Sequence, residues 1–249
     1  GCNMSCQCCQ NWTISQEKSP TQFVYPENLV EVALKENSVG IAYTYTEPLI
    51  WYEYILETAK IAKEKNLANV LVTNGYIHEE PLTKLLPYID AMNIDLKSMD
   101  DDFYKRICKA KLAPVLRTIE VSYQQNVHVE ITNLLIPTLN DSDEQIQKLV
   151  DFVANLSDRI PLHFSRYFPA YKMDLPATPL ETLQKAFLLG KRKLKYVYVG
   201  NAYIPNTSNT HCPECNELLI RREGYHTSIV GIKERKCKKC GSAVDMVME

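Results

Sequence analysis

The sequence has no long apolar run. None approaches the roughly 20 residues of a membrane-spanning helix, so no membrane span is expected. It also lacks a surplus of charge. Lys and Arg number 28 against 30 Asp and Glu, a net charge of −2, which predicts no strong field for nucleic acid or a membrane surface. No secretory leader is expected, and 249 residues is long for a small disulfide-stapled scaffold. At 45% hydrophobic and 23% charged residues the composition is ordinary for a soluble globular chain. The length suits one large α/β domain with a small appendage. What the sequence does have is nine cysteines, grouped in two tight clusters with Cys108 alone between them. That usage points to metal binding in a reducing, cytoplasmic compartment.

The first cluster lies in GCNMSCQCCQNW, residues 1–12. Cys2, Cys6 and Cys9 read C-x3-C-x2-C. A tight loop can turn three thiolates onto one cubic iron–sulfur cluster, leaving one iron without a protein donor. An open iron can bind a substrate or cofactor, as open positions do in catalytic metal sites. A disulfide pair, a zinc knuckle or a ferredoxin-like site are the alternatives that this loop alone leaves open. The same spacing resembles that of the radical S-adenosylmethionine (SAM) enzymes, where the open iron chelates the amino and carboxylate groups of SAM.

Beyond a polar connector at residues 13–22, strand and helix signals alternate. A short helix is expected over 26–36. Strands are expected at 39–45, 68–73, 91–96, 127–136, 162–168 and 195–199. Helices are expected over 47–65, with Trp51, Ile55, Ala59 and Ala62 on one face, and over 82–86, 112–124, 141–156 and 178–193. Two capping boxes are read, with Asp141 and Thr178 as N-caps. Strands separated by helices imply parallel βαβ units that curl into a barrel or open sheet, with ligands at the carboxyl ends of the strands. The expected division is a core at 1–203, a linker at 204–210 and a module at 211–249. In that module Cys212, Cys215, Cys237 and Cys240 form paired C-x2-C knuckles about 20 residues apart, the spacing of a zinc ribbon. A second redox cluster or a rubredoxin-like iron is the alternative.

Polar residues collect at the predicted strand ends. Tyr45, Thr46 and Glu47 close the first, and their backbone carbonyls and the Glu47 carboxylate can face an ammonium; Thr46-Glu47-Pro48 is equally a plain helix start. Thr73 and Asn74 close the second, where Asn74-Gly75 can be simply a turn. Asp95 and Lys97 alternate onto one face of the third. Opposite charges there are costly unless they pair with each other or meet a ligand, and both readings stand. His163, followed by Ser165 and Arg166, suggests a polar cavity wall near the end of a late strand.

Together these stretches resemble the radical SAM member of the so-called AmmeMemoRadiSam system, related to the pyruvate formate-lyase activating enzymes. The matching segments are GCNMSCQCCQNW, YTYTEP, VTNGYI, NIDLK, FYKRICKAKLAPVLRTIE, LLIPTLNDS, HFSRYFPAYKM, YVYVGN and the CPEC…CKKCG pair, and they run in order through essentially the whole chain. The resemblance implies a partial (β/α) TIM-like barrel, a [4Fe–4S] cluster on Cys2, Cys6 and Cys9, bound SAM, and a C-terminal zinc ribbon. It would put Asp95 at the SAM ribose and Lys97 at its carboxylate. Thr73 and the Tyr45–Glu47 turn would lie by the amino group, and residues 136–140, beginning at Ile136, along the adenine. Asn74 and His163 join these as candidate cofactor contacts. It further implies reductive cleavage of SAM to a 5′-deoxyadenosyl radical, an unidentified protein or peptide substrate, a flavodoxin or ferredoxin as electron donor, and Memo-like and AMMECR-type proteins as partners.

Three departures stand out. The usual Gly-Gly-Glu-like turn is replaced by Thr46-Glu47-Pro48. The residue before the last cluster cysteine, usually aromatic, is Cys8. The family's strand leading into the cysteine loop is expected to be missing or supplied by residues outside this sequence. The rival reading is a non-catalytic iron–sulfur or zinc protein that binds a partner or nucleic acid through its ribbon, supported by the basic run at 233–239.

Overall fold

A computed structural model of the chain describes residues 1–246. After the cysteine loop come a short helical turn, α1 (Trp12–Ser15), and α2 (Pro26–Lys35). Pro26 suits the first turn of α2, where an N–H would have no helical partner. Strands and helices then alternate: β1 (Gly40–Tyr43), α3 (Tyr52–Glu64), β2 (Ala68–Thr73), α4 (Glu79–Leu85), β3 (Ala91–Asp95), α5 (Asp101–Phe103), α6 (Leu112–Gln124), β4 (His128–Leu135), α7 (Asp143–Leu156), β5 (Leu162–Arg166), α8 (Leu180–Lys191) and β6 (Val197–Gly200). The six strands make one sheet in chain order. The pairs β1–β2, β2–β3, β3–β4 and β5–β6 are parallel, as helical crossovers require. This is the parallel α/β architecture that the alternating pattern implied.

Two compact units divide the chain: residues 1–133 with 168–177, and residues 134–167 with those from 178 onward. In the first, Leu71, Ile94 and Ile131 of the strands are fully buried, as are Ala59 and Ala62 of α3 and Val115 and Ile119 of α6. Gly40 lets β1 approach β2 closely, since a Cβ there would lie 2.3 Å from the Ala68 carbonyl oxygen. Beside β1 an apolar groove of about 610 Å³ is lined by Phe23, Tyr43, Tyr45, Trp51 and Tyr54, among others. In the second unit β7 (Thr210–His211), β8 (Leu218–Glu223) and β9 (His226–Ile229) form an antiparallel sheet, and β10 (Ile232–Lys233) pairs with β11 (Lys236–Cys237).

Several expectations need correction. Trp51 is half exposed and precedes α3 in a tighter turn; Thr58 joins Ile55, Ala59 and Ala62 on the buried face. The N-cap of α7 is Ser142, whose hydroxyl accepts from Gln145 N–H, because the Asp141 carboxylate is engaged by Thr138 N–H at 2.8 Å. Thr178 does not cap α8 with its side chain. Its hydroxyl donates to Leu135 O at 2.6 Å and accepts from Tyr167 N–H at 2.9 Å, so tertiary bonding outcompetes the local cap. The late strands are displaced, β5 ending at Arg166 and β6 running Val197–Gly200, and α4 begins at Glu79. The sequence reading missed α1, α5 and the single π-helical turn Tyr104–Cys108.

Candidate functional site

The carboxyl ends of β1, β2 and β3 carry the polar groups of the first unit. Glu47 is almost fully buried and caps the turn that leads to α3. Its carboxylate accepts from Leu49 N–H at 3.0 Å, Thr73 Oγ1 at 2.6 Å and Asn74 N–H at 2.8 Å, which ties the end of β1 to the end of β2. Burial pushes its pKa up. A carboxylate has about four acceptor positions, so one remains after these three bonds. Glu47→Gln should cost roughly 2–3 kcal/mol, because an amide nitrogen would face an N–H or O–H donor. Urea unfolding measures this; a change below about 0.5 kcal/mol would mean the three bonds contribute little.

Beyond Thr73 the chain turns at Gly75, whose φ of +67° and close contact with Ile94 exclude a larger residue. Asn74 sits in this turn. Its Oδ1 accepts from Tyr76 N–H at 2.8 Å, and its Nδ2 donates to Asn3 Oδ1 at 2.8 Å and lies 3.6 Å from Cys2 Sγ. The β2 end is thereby joined to the cysteine loop. At the β3 end, Lys97 Nζ is 2.8 Å from Asp95 Oδ2. Burial opposes charge on Lys97, but Asp95 and nearby thiols outweigh it and hold the pKa well above the ordinary lysine value. Both residues are close enough to Cys6 to perturb it electrostatically.

The cysteine loop is held against these ends. Ser5 N–H donates to Cys108 O at 3.1 Å, Gln7 N–H to Ile107 O at 3.0 Å and Gln7 Nε2 to Arg106 O at 3.0 Å. Lys172 N–H donates to Gln7 O at 3.0 Å, and Trp12 stacks on Tyr171 with centroids 5.3 Å apart. All nine cysteines are free. Cys2, Cys6 and Cys9 are partly exposed, whereas Cys8 is buried and its pKa is pushed up to about 11 by that burial. Cys6 is lowered to about 7, chiefly by a hydrogen bond from Cys108.

A family model described as the radical SAM superfamily matches residues 1–153. The chain belongs to the radical SAM superfamily. That superfamily uses a [4Fe–4S] cluster and SAM, so the protein is an enzyme of iron–sulfur and SAM chemistry. It is 46% identical to an uncharacterized protein of Methanocaldococcus jannaschii over its whole length and 76% of that protein. It is 28% identical to a pyruvate formate-lyase-activating enzyme of Clostridium pasteurianum over 63% of this chain and 67% of the other. SuiB of Streptococcus suis, solved with S-adenosylmethionine, shares the fold at a TM-score of 0.64 and 14% identity, over 81% of this chain and 48% of SuiB.

Against this radical SAM frame, Cys2, Cys6, Glu47, Thr73, Asn74, Asp95 and Lys97 gather in the first unit. Thr46 Oγ1 donates to Gly1 O, while Tyr45 is largely exposed and lines the apolar groove. Ile136 and His163 belong to the second unit. Ile136 is buried and its N–H donates to Asn140 Oδ1 at 2.7 Å; the His163 ring stacks on Tyr198. The sequence reading did not assign roles to Asn3, Ser15 and Cys108. Ser15 Oγ lies 3.3 Å from Cys9 Sγ. The one available hint was Cys108, the single cysteine outside both clusters.

Cys212, Cys215, Cys237 and Cys240 have ligand atoms that all lie within 4.8 Å of one another, forming a four-cysteine metal site. Among the described residues no helix is long and apolar enough to cross a membrane.

Proposed function

We propose that Cys2, Cys6 and Cys9 hold a [4Fe–4S] cluster, and that the protein cleaves SAM reductively and takes hydrogen from a protein or peptide substrate. The observation that carries this reading is that Cys2 and Cys6, in a loop that also carries the partly exposed Cys9, lie beside Glu47, Asp95 and Lys97 at the ends of parallel strands. The donor set fits the group: three soft thiolates suit iron–sulfur ligation and leave one iron open. When bound, the reduced cluster supplies one electron to the sulfonium of SAM, which yields methionine and a 5′-deoxyadenosyl radical. The protein's part is to bind and orient. Lys97 would hold the methionine carboxylate and Asp95 the ribose hydroxyls. Thr73, Asn74 and the Tyr45-Thr46-Glu47 turn would neighbour the amino group, and Ile136 and His163 would complete the cofactor contacts.

Relatives support the substrate class. The Clostridium pasteurianum protein is named for activating an enzyme, pyruvate formate-lyase, and SuiB has been solved with its precursor peptide SuiA. A flavodoxin or ferredoxin would deliver the electron, and Memo-like and AMMECR-type proteins are the proposed partners. The segment from residue 211 would be a separate zinc-stabilised module after the core and the 204–210 linker.

The test is anaerobic reconstitution with iron and sulfide, reduction, addition of SAM and product analysis. The expected result is 5′-deoxyadenosine and methionine, formed slowly even without substrate. A loaded, demonstrably reduced [4Fe–4S] protein that leaves SAM intact would favour the non-catalytic class instead. Lys97→Ala should lower SAM affinity by about tenfold or more, about 1.4 kcal/mol, with cluster content unchanged, because a charge-assisted partner is lost. Equilibrium binding to the loaded protein reads this. Unchanged affinity would leave the Asp95–Lys97 pair as an internal ion pair only.

A further inference from the structure

Two donors approach the cysteine loop from elements that the proposed ligand set does not use. Asn74 is the first. The orientation of its side-chain amide is set by its neighbours: Tyr76 N–H, a donor, occupies Oδ1 at 2.8 Å, so Nδ2 must face Asn3 Oδ1 and Cys2 Sγ. Its backbone N–H is fixed in turn by Glu47. Buried and tethered at three atoms, N, Oδ1 and Nδ2, Asn74 has no freedom to turn away from the sulfur.

Cys108 is the second. It is fully buried at the end of the π-helical turn Tyr104–Cys108, a local widening of the helix that is frequent at functional sites. The backbone bonds from Ser5 and Gln7 to this turn bracket Cys6 on both sides. They fix the distance between the two segments and hold the buried Cys108 beside Cys6. A buried cysteine is often only a small apolar filler, but a filler needs no bracketing bonds on either side of a neighbouring thiol.

We propose that Asn74 and Cys108 are positioning residues that hydrogen-bond the Cys2 and Cys6 thiolates and thereby raise the reduction potential of the cluster. This rests on the reading of Cys2, Cys6 and Cys9 as its ligands. The physical reason is charge. Reduction adds one electron to a group that already carries thiolate charge, and N–H or S–H donors on the sulfurs stabilise the more negative state more than the less negative one. Asn74 would then act on the iron–sulfur centre as well as neighbouring the SAM amino group.

The experiment is an EPR-monitored redox titration of reconstituted full-length protein, without SAM, using a europium(II) reductant. Asn74→Leu and Cys108→Ala should each lower the midpoint potential by about 59 mV, a tenfold change in the one-electron equilibrium. Cys108→Ser, which keeps a donor, should stay near wild type. Variants that hold the same iron and titrate at the wild-type potential overturn the proposal. If Cys108→Ala cannot hold iron, Cys108→Ser decides: iron retained at near wild-type potential supports it, and loss in both variants makes Cys108 a packing residue and overturns it. Wild-type protein that holds no four-iron cluster would remove the underlying ligand reading, and this inference with it.

Discussion

Replacing any one of Cys2, Cys6 or Cys9 with alanine should reduce 5′-deoxyadenosine formation from SAM to background, whereas Cys8→Ala should retain it. The difference follows from where the four thiols stand. Cys2, Cys6 and Cys9 are partly exposed, and Cys8 is buried. Gln7 and Cys8 occupy a turn closed by Cys9 N–H donating to Cys6 O at 3.2 Å, and Cys8 is the buried member of the loop's four thiols. A fourth thiolate would in addition fill the iron that SAM requires and add negative charge. The result should appear first in iron and sulfide content, before any activity is measured. A Cys8→Ala protein that loses its cluster while Cys9→Ala keeps one would reverse the assignment.

The alternating architecture was readable because parallel strands are buried on both faces and their crossover helices carry an apolar stripe. Leu71, Ile94 and Ile131 made the strands legible, and Ile55, Ala59 and Ala62 the helix between the first two. The two capping boxes were misread for one shared reason. Asp141 and Thr178 spend their side chains on Thr138 and on Leu135 and Tyr167, partners that no local window reveals. In the candidate site, charges at strand ends identified Glu47, Asp95 and Lys97. The sequence did not reveal that Glu47 is a buried tether, because its partners Thr73 and Asn74 are 26 and 27 residues away. The π-helical turn carrying Cys108 has no periodic signal at all. Its last two residues, Ile107 and Cys108, accept backbone bonds from the cysteine loop about a hundred residues earlier.

Removing metal from the C-terminal tetrad should unfold the module it anchors while leaving the iron–sulfur absorbance in place. The sulfur geometry already suits zinc. Cys212 and Cys240 Sγ are 3.6 Å apart, and Cys215 and Cys237 Sγ 3.7 Å. A tetrahedral site with Zn–S bonds of about 2.3 Å puts its sulfurs about 3.8 Å apart. Ser242 Oγ lies 3.3 Å from Cys212 Sγ and 3.1 Å from Cys240 Sγ, a hydroxyl placed to donate its one proton to either thiolate. The apolar core here is small: Leu219, Ile220 and Ile232 are its buried residues apart from Cys212 and Cys237 themselves. Three aliphatic side chains contribute roughly 5–9 kcal/mol at full burial. A core of that size is too small to hold β8 and β9 by itself. Structural zinc contributes about 10–16 kcal/mol in small modules of this kind. Cys212→Ser should therefore lose close to one equivalent of zinc by elemental analysis. The amides of Leu218–Glu223 and His226–Ile229 should then exchange hydrogen freely while those of β2 and β3 stay protected. A protein purified without chelator that carries no zinc, or one whose β8 amides stay protected after chelation, would show that the four thiols hold the module by other means.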